Sequence, residues 1–145
     1  MNRTERPHKK LIVWQEAMEL FSLVYHLCID FPTDEKFGMI SQMKRAAVSV
    51  PSNIAEGAAR KSNKETIQFF YISLGSLSEL DTLNTLAKNL NFTDENKFNE
   101  LDEKINRVSA LLNGLIEKRK TLTLNILMLT FLNPLIPSFL HHLYV

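Results

Sequence analysis

An all-α fold, an antiparallel up-down-up-down four-helix bundle, is what this sequence predicts, on three observations. Apolar residues recur at three- and four-residue steps through four segments, each long enough for several helical turns. No run alternates apolar and polar side chains as a half-buried strand would. Glycine is scarce, at four in 145 residues, and the connections between periodic segments are short, which favours antiparallel neighbours. A chain of 145 residues is also long enough to bury a core as one domain.

The first helix is read from Leu11 to Phe31, with Leu11, Trp14, Met18, Phe21, Tyr25 and Cys28 as its apolar stripe. The stretch "DFPTDEKFG" interrupts it with Pro32 and a polar turn. A second helix is expected from Thr33 or Asp34, either of which caps well, through Met39, Met43, Ala46, Ala47 and Val50. Ser62 and Glu65 have the spacing of a capping box and open the third helix, whose stripe takes in Phe69, Phe70, Ile72, Leu74, Leu77, Leu80, Leu83 and Leu86. "NLNFTDEN" ends it. Thr93, Asp94 and Glu95 suit the positive start of a fourth helix that buries Phe98, Leu101, Ile105, Val108, Leu112 and Leu115.

After Lys120 the character changes. "TLTLNILMLTFLNPLIPSFLHHLYV" holds no charged side chain, although the chain has 17 Lys+Arg and 16 Asp+Glu. The division expected is therefore a bundle over 1–120 and an uncharged hydrophobic tail over 121–145. Following "EKRK", such a tail fits a membrane-contacting segment with positive residues on the cytoplasmic side. Asn125, Asn133, Pro134, Pro137 and the His141–His142 pair fit better a tail packed on the bundle or on a neighbouring subunit. A tail from an altered reading frame is a third origin.

Composition removes several classes of function. A net charge of +1 gives no global field toward nucleic acid, so any such contact is local. One cysteine, Cys28, excludes an internal disulfide and multi-cysteine metal motifs, and its place on the apolar stripe makes it a core residue. A di-iron bundle needs Glu-x-x-His steps on two helices, which the four histidines do not supply. Ser73, Gly75, Ser76 and Ser78 match no phosphate-loop pattern and read instead as small residues at a tight helix crossing. No nucleophile–base pair is visible, so the expectation is a protein without catalytic residues, cofactor or metal. The charged amino-terminal stretch leads into an amphipathic helix, not a signal-peptide core, and the expected compartment is the cytoplasm.

The stretch Ser41–Ser62, "SQMKRAAVSVPSNIAEGAARKS", carries the most information. Ala46, Ala47, Ser49, Ser52 and Ala55 are small and let another helix approach. Pro51 has no N–H for the carbonyl of Ala47 and is expected to bend the helix. Asn53 and Glu56, three residues apart, are expected to join a hydrogen-bond network that fixes helix register or a subunit contact. Gly57 allows a close approach or a helix end. Basic residues flank the stretch as Lys44 and Arg45, then Arg60, Lys61 and Lys64, with Arg3, Arg6, Lys9 and Lys10 earlier in the chain. Solvated surface is the plain reading of such clusters.

"VWQEAMEL", "FGMISQMKRAAVSVPSNIAEGAAR" and "FFYISLGSLSELDT" together resemble the bacterial four-helix-bundle proteins of the S23, or 23S rRNA intervening-sequence, family over roughly Leu11 to Lys118. That family is similar in turn to the accessory variability protein of diversity-generating retroelements. The resemblance implies a ring, typically a homopentamer, without an established enzymatic activity. In the retroelement relatives it also implies a basic surface for RNA or DNA and a reverse transcriptase as partner. On this chain the residues for nucleic-acid or partner contact are then Lys44, Arg45, Arg60, Lys61 and Lys64, with Pro51, Asn53, Glu56 and Gly57 as architectural or interface residues. A membrane-associated bundle held by its tail is the competing class.

Overall fold

The computed structural model describes residues 6–132. Its helices are α1 (Ile12–Leu27), α2 (Met39–Ala58), α3 (Asn63–Asn89) and α4 (Glu95–Leu132), preceded by a 3-10 turn at Pro7–Lys10. Each helix packs on its neighbours in sequence and α4 packs back on α1, whereas α1 with α3 and α2 with α4 make no contact among the described residues. The four thus occupy the corners of an antiparallel bundle, as the periodicity requires.

The core stripe of α1 is not the one read from the aromatic spacing. Val13, Ala17, Leu20, Val24 and Leu27 are the buried residues, while Trp14, Phe21 and Tyr25 are half-buried and Met18 is exposed. Both sets have helical spacing, and the larger residues sit at the flank because the bundle interior between four close helices takes the slimmer aliphatic chains. Cys28 is buried as expected, and burial pushes its thiol up to about 11 against the weaker opposing effect of the Lys44 ammonium.

The second helix also starts later than Thr33. Residues Thr33–Phe37 form a 3-10 turn, in which Glu35 N–H donates to Pro32 O and Gly38 N–H to Glu35 O. The chain then breaks at Gly38, and the Glu35 carboxylate caps the new helix by accepting from Met39 N–H at 3.0 Å. From there α2 continues through Pro51 to Ala58.

Caps set the remaining boundaries. Ser62 Oγ accepts from Glu65 N–H at 3.3 Å, one half of the capping box; the Glu65 carboxylate accepts from the Ser62 hydroxyl at 2.7 Å instead of reaching the backbone. α3 ends in a Schellman motif: Asn91 sits in the left-handed region at φ 58°, Phe92 N–H reaches Ala87 O at 2.9 Å, and Asn91 N–H reaches Lys88 O at 3.0 Å. Phe92 then stacks on Phe31, ring centroids 5.7 Å apart, and closes that end of the core. Asp94 caps α4 by accepting from Lys97 N–H at 2.9 Å. In α3 the buried set includes Phe70, Leu77, Leu80 and Leu83 but also Thr66, Ser73, Asn84 and Ala87, while Ile72 and Leu86 turn outward. Asn84 Nδ2 donates to Phe98 O across the α3–α4 seam. In α4, Leu101, Ile105, Val108 and Leu112 are buried as the spacing predicts, followed by Ile116 in place of Leu115.

α4 does not stop at Lys120 but runs unbroken to Leu132. Its side chains from Leu122 to Phe131 stand largely exposed. No helix among the described residues is long and apolar enough to cross a membrane. Asn133, Pro134, Pro137, His141 and His142 lie outside the described residues, as does Arg3.

A charged clamp joins α1 to α4. The Glu16 carboxylate accepts from Arg107 Nε at 2.7 Å and from Lys104 Nζ at 2.9 Å, and Lys104 also donates to Glu19 at 2.6 Å. These bonds hold the Glu16 carboxyl below its usual value of 4.5 and lift the Lys104 ammonium above 10.5. A carboxyl depressed on folding contributes stability that is present above its unfolded value and lost as pH falls through the folded one; a raised lysine contributes below its unfolded value. The clamp is therefore complete from about pH 5 to about pH 10. Glu16→Gln should cost about 1–2 kcal/mol at neutral pH, because Arg107 is more than half exposed and water screens its share. Chemical denaturation from pH 7 down to pH 3 should show that difference shrinking toward zero; a constant difference would remove the carboxylate from the account.

Candidate interaction surface on helix α2

Helix α2 presents two faces. Met43, Ala46, Ala47, Val50, Pro51, Ile54 and Gly57 are buried. Against α3 the fit depends on small groups: Ser73 Oγ donates to Val50 O at 2.9 Å, and the Ser76 and Ser49 hydroxyls meet at 2.8 Å. At Gly57 a β-carbon would stand 3.0 Å from Phe69 Cβ and 3.1 Å from the Phe70 ring. Gly57 is thus a point of close approach in the last turn of α2. Pro51 is buried toward α1 and lines a 300 Å³ groove with His8, Trp14, Met18 and Phe21.

Asn53 and Glu56 do not form a joint network. Half-buried Asn53 donates through Nδ2 to Ser49 O at 2.9 Å and to Ser49 Oγ at 3.0 Å, which ties it to the α2–α3 seam. Glu56 is about half exposed and pairs with Arg60 one turn later. Three residues apart, the two side chains diverge around the helix: the shorter amide reaches the preceding turn and the longer carboxylate the following one. Spacing alone does not tell these partners apart.

The outer face of α2 forms the wall of an open groove of 750 Å³, lined by Tyr25, Ile40, Lys44, Arg45, Val48 and Ser52 among others. Ser52 returns its hydroxyl to Val48 O at 2.8 Å, and Asn53 is already committed to Ser49, so these polar groups are satisfied within the helix. What remains outward is a smooth surface with charged margins. Lys44 lies over the Tyr25 ring, 4.9 Å from its centroid, and Arg60 over Phe69 at 4.5 Å. Arg45, Lys61 and Lys64 are exposed and carry no ion pair among the described residues. The structure therefore divides the five basic candidates: Lys44 and Arg45 sit in the second turn of α2 on its groove, whereas Arg60, Lys61 and Lys64 sit at the opposite end, where α2 passes into α3. Among the described residues no group of three or more His, Cys, Asp or Glu is placed to hold a metal ion.

Residues 9–114 match the family model of the 23S rRNA-intervening sequence protein. The chain belongs to that family. The match spans all four helices of the bundle up to Gly114 and stops before the exposed stretch of α4. Among solved structures, the chain is similar to a crystal structure of a protein with unknown function from the S23 ribosomal protein family of Bacteroides thetaiotaomicron VPI-5482. The TM-score is 0.68 at 20% identity, covering 72% of this chain and 98% of that one. At that identity the likeness is one of fold, and much more of this chain than of the relative lies outside it. No curated protein matches the chain.

The glycines supply the test of the α2–α3 seam. A β-carbon added at Gly75 would meet no atom within 4 Å. Gly75→Ala should therefore raise stability by about 0.5–1 kcal/mol, the ordinary helix gain. Gly57→Val should lower it by about 1–3 kcal/mol through overpacking against Phe69 and Phe70. Thermal melts followed by circular dichroism read both, and equal shifts would mean that Gly57 is not at a close contact.

Proposed function

We propose that this protein is a non-enzymatic assembly module that closes into a ring through head-to-tail contacts between the α2 face of one copy and the α4 face of the next. The observation that carries the reading is the placement of unpaired charge. Arg45 on α2 and Glu100 and Glu103 on α4 are exposed and lack an ionic partner among the described residues. α2 and α4 stand on diagonally opposite corners, so these charges face away from each other.

They also stand at one height. The Ser73–Val50 and Ser76–Ser49 contacts set the register of α3 on α2, and the Asn84–Phe98 and Arg119–Asn63 contacts set α4 on α3. Through those registers Arg45 is level with the turn of α4 that bears Glu103. A closed heterologous ring needs complementary patches without axial offset, since an offset would wind it into a filament. The small residues of the α2 groove permit close docking, and the charges fix orientation more than they add affinity. Five subunits is the number that the family resemblance supplies.

We propose a second contact, with RNA or DNA, on the family resemblance. Exposed Lys61 and Lys64, repeated around a ring, are its cationic residues in this reading, because repeated weak phosphate contacts gain by avidity.

A charge swap tests the ring. Native mass spectrometry should show Glu103→Arg falling to smaller species, Arg45→Glu doing the same, and the double variant regaining the wild-type subunit number. A ring that survives both single changes places the interface elsewhere. For RNA, log affinity should fall linearly with log salt, and Lys61→Ala with Lys64→Ala should flatten that slope.

A further inference from the structure

One end of the bundle combines two features that the ring contact leaves unused. Beyond Thr123, whose hydroxyl accepts from Asn63 at 3.3 Å, α4 projects past the start of α3 by nine residues, about 13 Å. The projection is uncharged and shows large apolar side chains around it: Leu124 is 61% exposed, Met128 65% and Phe131 85%, with Leu127 and Leu129 between them. Asn125 and Thr130 interrupt it, but a contiguous exposed apolar surface of this kind marks a contact with a partner or a membrane. In the sequence the uncharged run continues to Val145.

The base of this projection is cationic. α1 begins, α2 ends and α3 begins at this same end, because Trp14 and Ala55 line one groove and Asn63 bonds both Arg119 and Thr123. Lys61, Lys64 and Lys118 therefore lie at the base of the emerging helix, exposed and without an ion pair among the described residues, while Lys9 and Lys10, on the 3-10 turn that packs on α1 and α2, stand at the same end. The acidic groups there are already engaged: Glu56 with Arg60, Glu65 with Ser62 and Glu117 with Lys120.

We propose that this end of the protein docks on an anionic lipid bilayer, with the α4 projection entering one leaflet and the basic collar meeting the headgroups. The lengths agree. The nine projecting residues extend about 13 Å, against a hydrocarbon thickness of roughly 30 Å, which is enough to enter one leaflet. Neither signal needs to suffice alone, since an apolar insertion plus a polybasic patch gives the two-part anchoring that a single weak signal does not. A nucleic acid would satisfy the collar and leave the apolar helix in water. A cluster of projecting helices from several copies would cover the apolar surface but press Lys61, Lys64 and Lys118 of neighbouring copies together.

The experiment is co-sedimentation of the full chain with phosphatidylcholine vesicles, with and without phosphatidylserine. Wild type should pellet with the phosphatidylserine vesicles and much less with phosphatidylcholine alone. Leu124→Glu with Met128→Glu should reduce the pelleted fraction at least about tenfold, and Lys61→Ala with Lys64→Ala about fivefold per cation removed. All four side chains are exposed, and unchanged melting curves confirm that each variant is folded. Wild type left in the supernatant overturns the proposal, as does a Leu124→Glu, Met128→Glu variant that pellets undiminished. A fall in subunit number for that variant without vesicle binding would make a second copy the occupant, and RNA binding by the collar without vesicle binding would make it RNA. Because the ring contacts lie in the early turns of α2 and α4, away from this end, Glu103→Arg should dissociate the ring yet leave the monomer's vesicle binding measurable, so the two proposals fail separately.

Discussion

Helices α2 and α3 lie close enough that a methyl group at Gly57 would press on two phenylalanines. That proximity governs the rest of the bundle. It brings Ser73 within reach of a carbonyl on the opposite helix and lets Ser49, Ser76 and Asn53 satisfy one another in the seam. Hydroxyls that bond across a helix pair fix axial register, which apolar contacts alone hold loosely. Once α3 is registered on α2, Asn84 and Asn63 pass that register to α4, and the clamp at Glu16 returns it to α1. The heights of all surface charges around the bundle descend from this one seam.

The fold was legible because helical periodicity is a coarse signal: four apolar stripes and short connections admit few other arrangements. What periodicity does not encode is which of two adjacent stripes faces inward. In α1, Trp14, Phe21 and Tyr25 share helical spacing with Val13, Ala17, Leu20 and Val24, and only the width of the interior decides between them. The late start of α2 was written in Gly38, whose neighbour Glu35 is the cap, but Thr33 and Asp34 are intrinsically better caps and mask it. In the central stretch, the close approach at Gly57 was readable from its small neighbours. The separate partners of Asn53 and Glu56 depend on side-chain reach around the helix, which sequence spacing does not carry.

Net charge conceals more here than it reveals. A balance of +1 suggests an indifferent surface, yet the antiparallel topology sorts the charges by place. It draws the cations of the amino-terminal turn, the α2–α3 connection and the distal part of α4 to one end, although they are far apart in the chain. Composition counts charges without their positions, and position determines what a surface meets. The same sorting sets Glu100 and Glu103 in the early turns of α4 and Lys118, Arg119 and Lys120 beside its projecting end.

Cys28 sits just past the last turn of α1, buried, with its thiol held protonated to about pH 11 by its surroundings. Alkylating reagents act on the thiolate, so in the closed molecule this sulfur is chemically silent. Its reaction then becomes a clock for the excursions in which α1 lifts from α2, timed by the protein's own breathing rather than by an added dye. With only one such atom in the chain, the readout is free of competing sites.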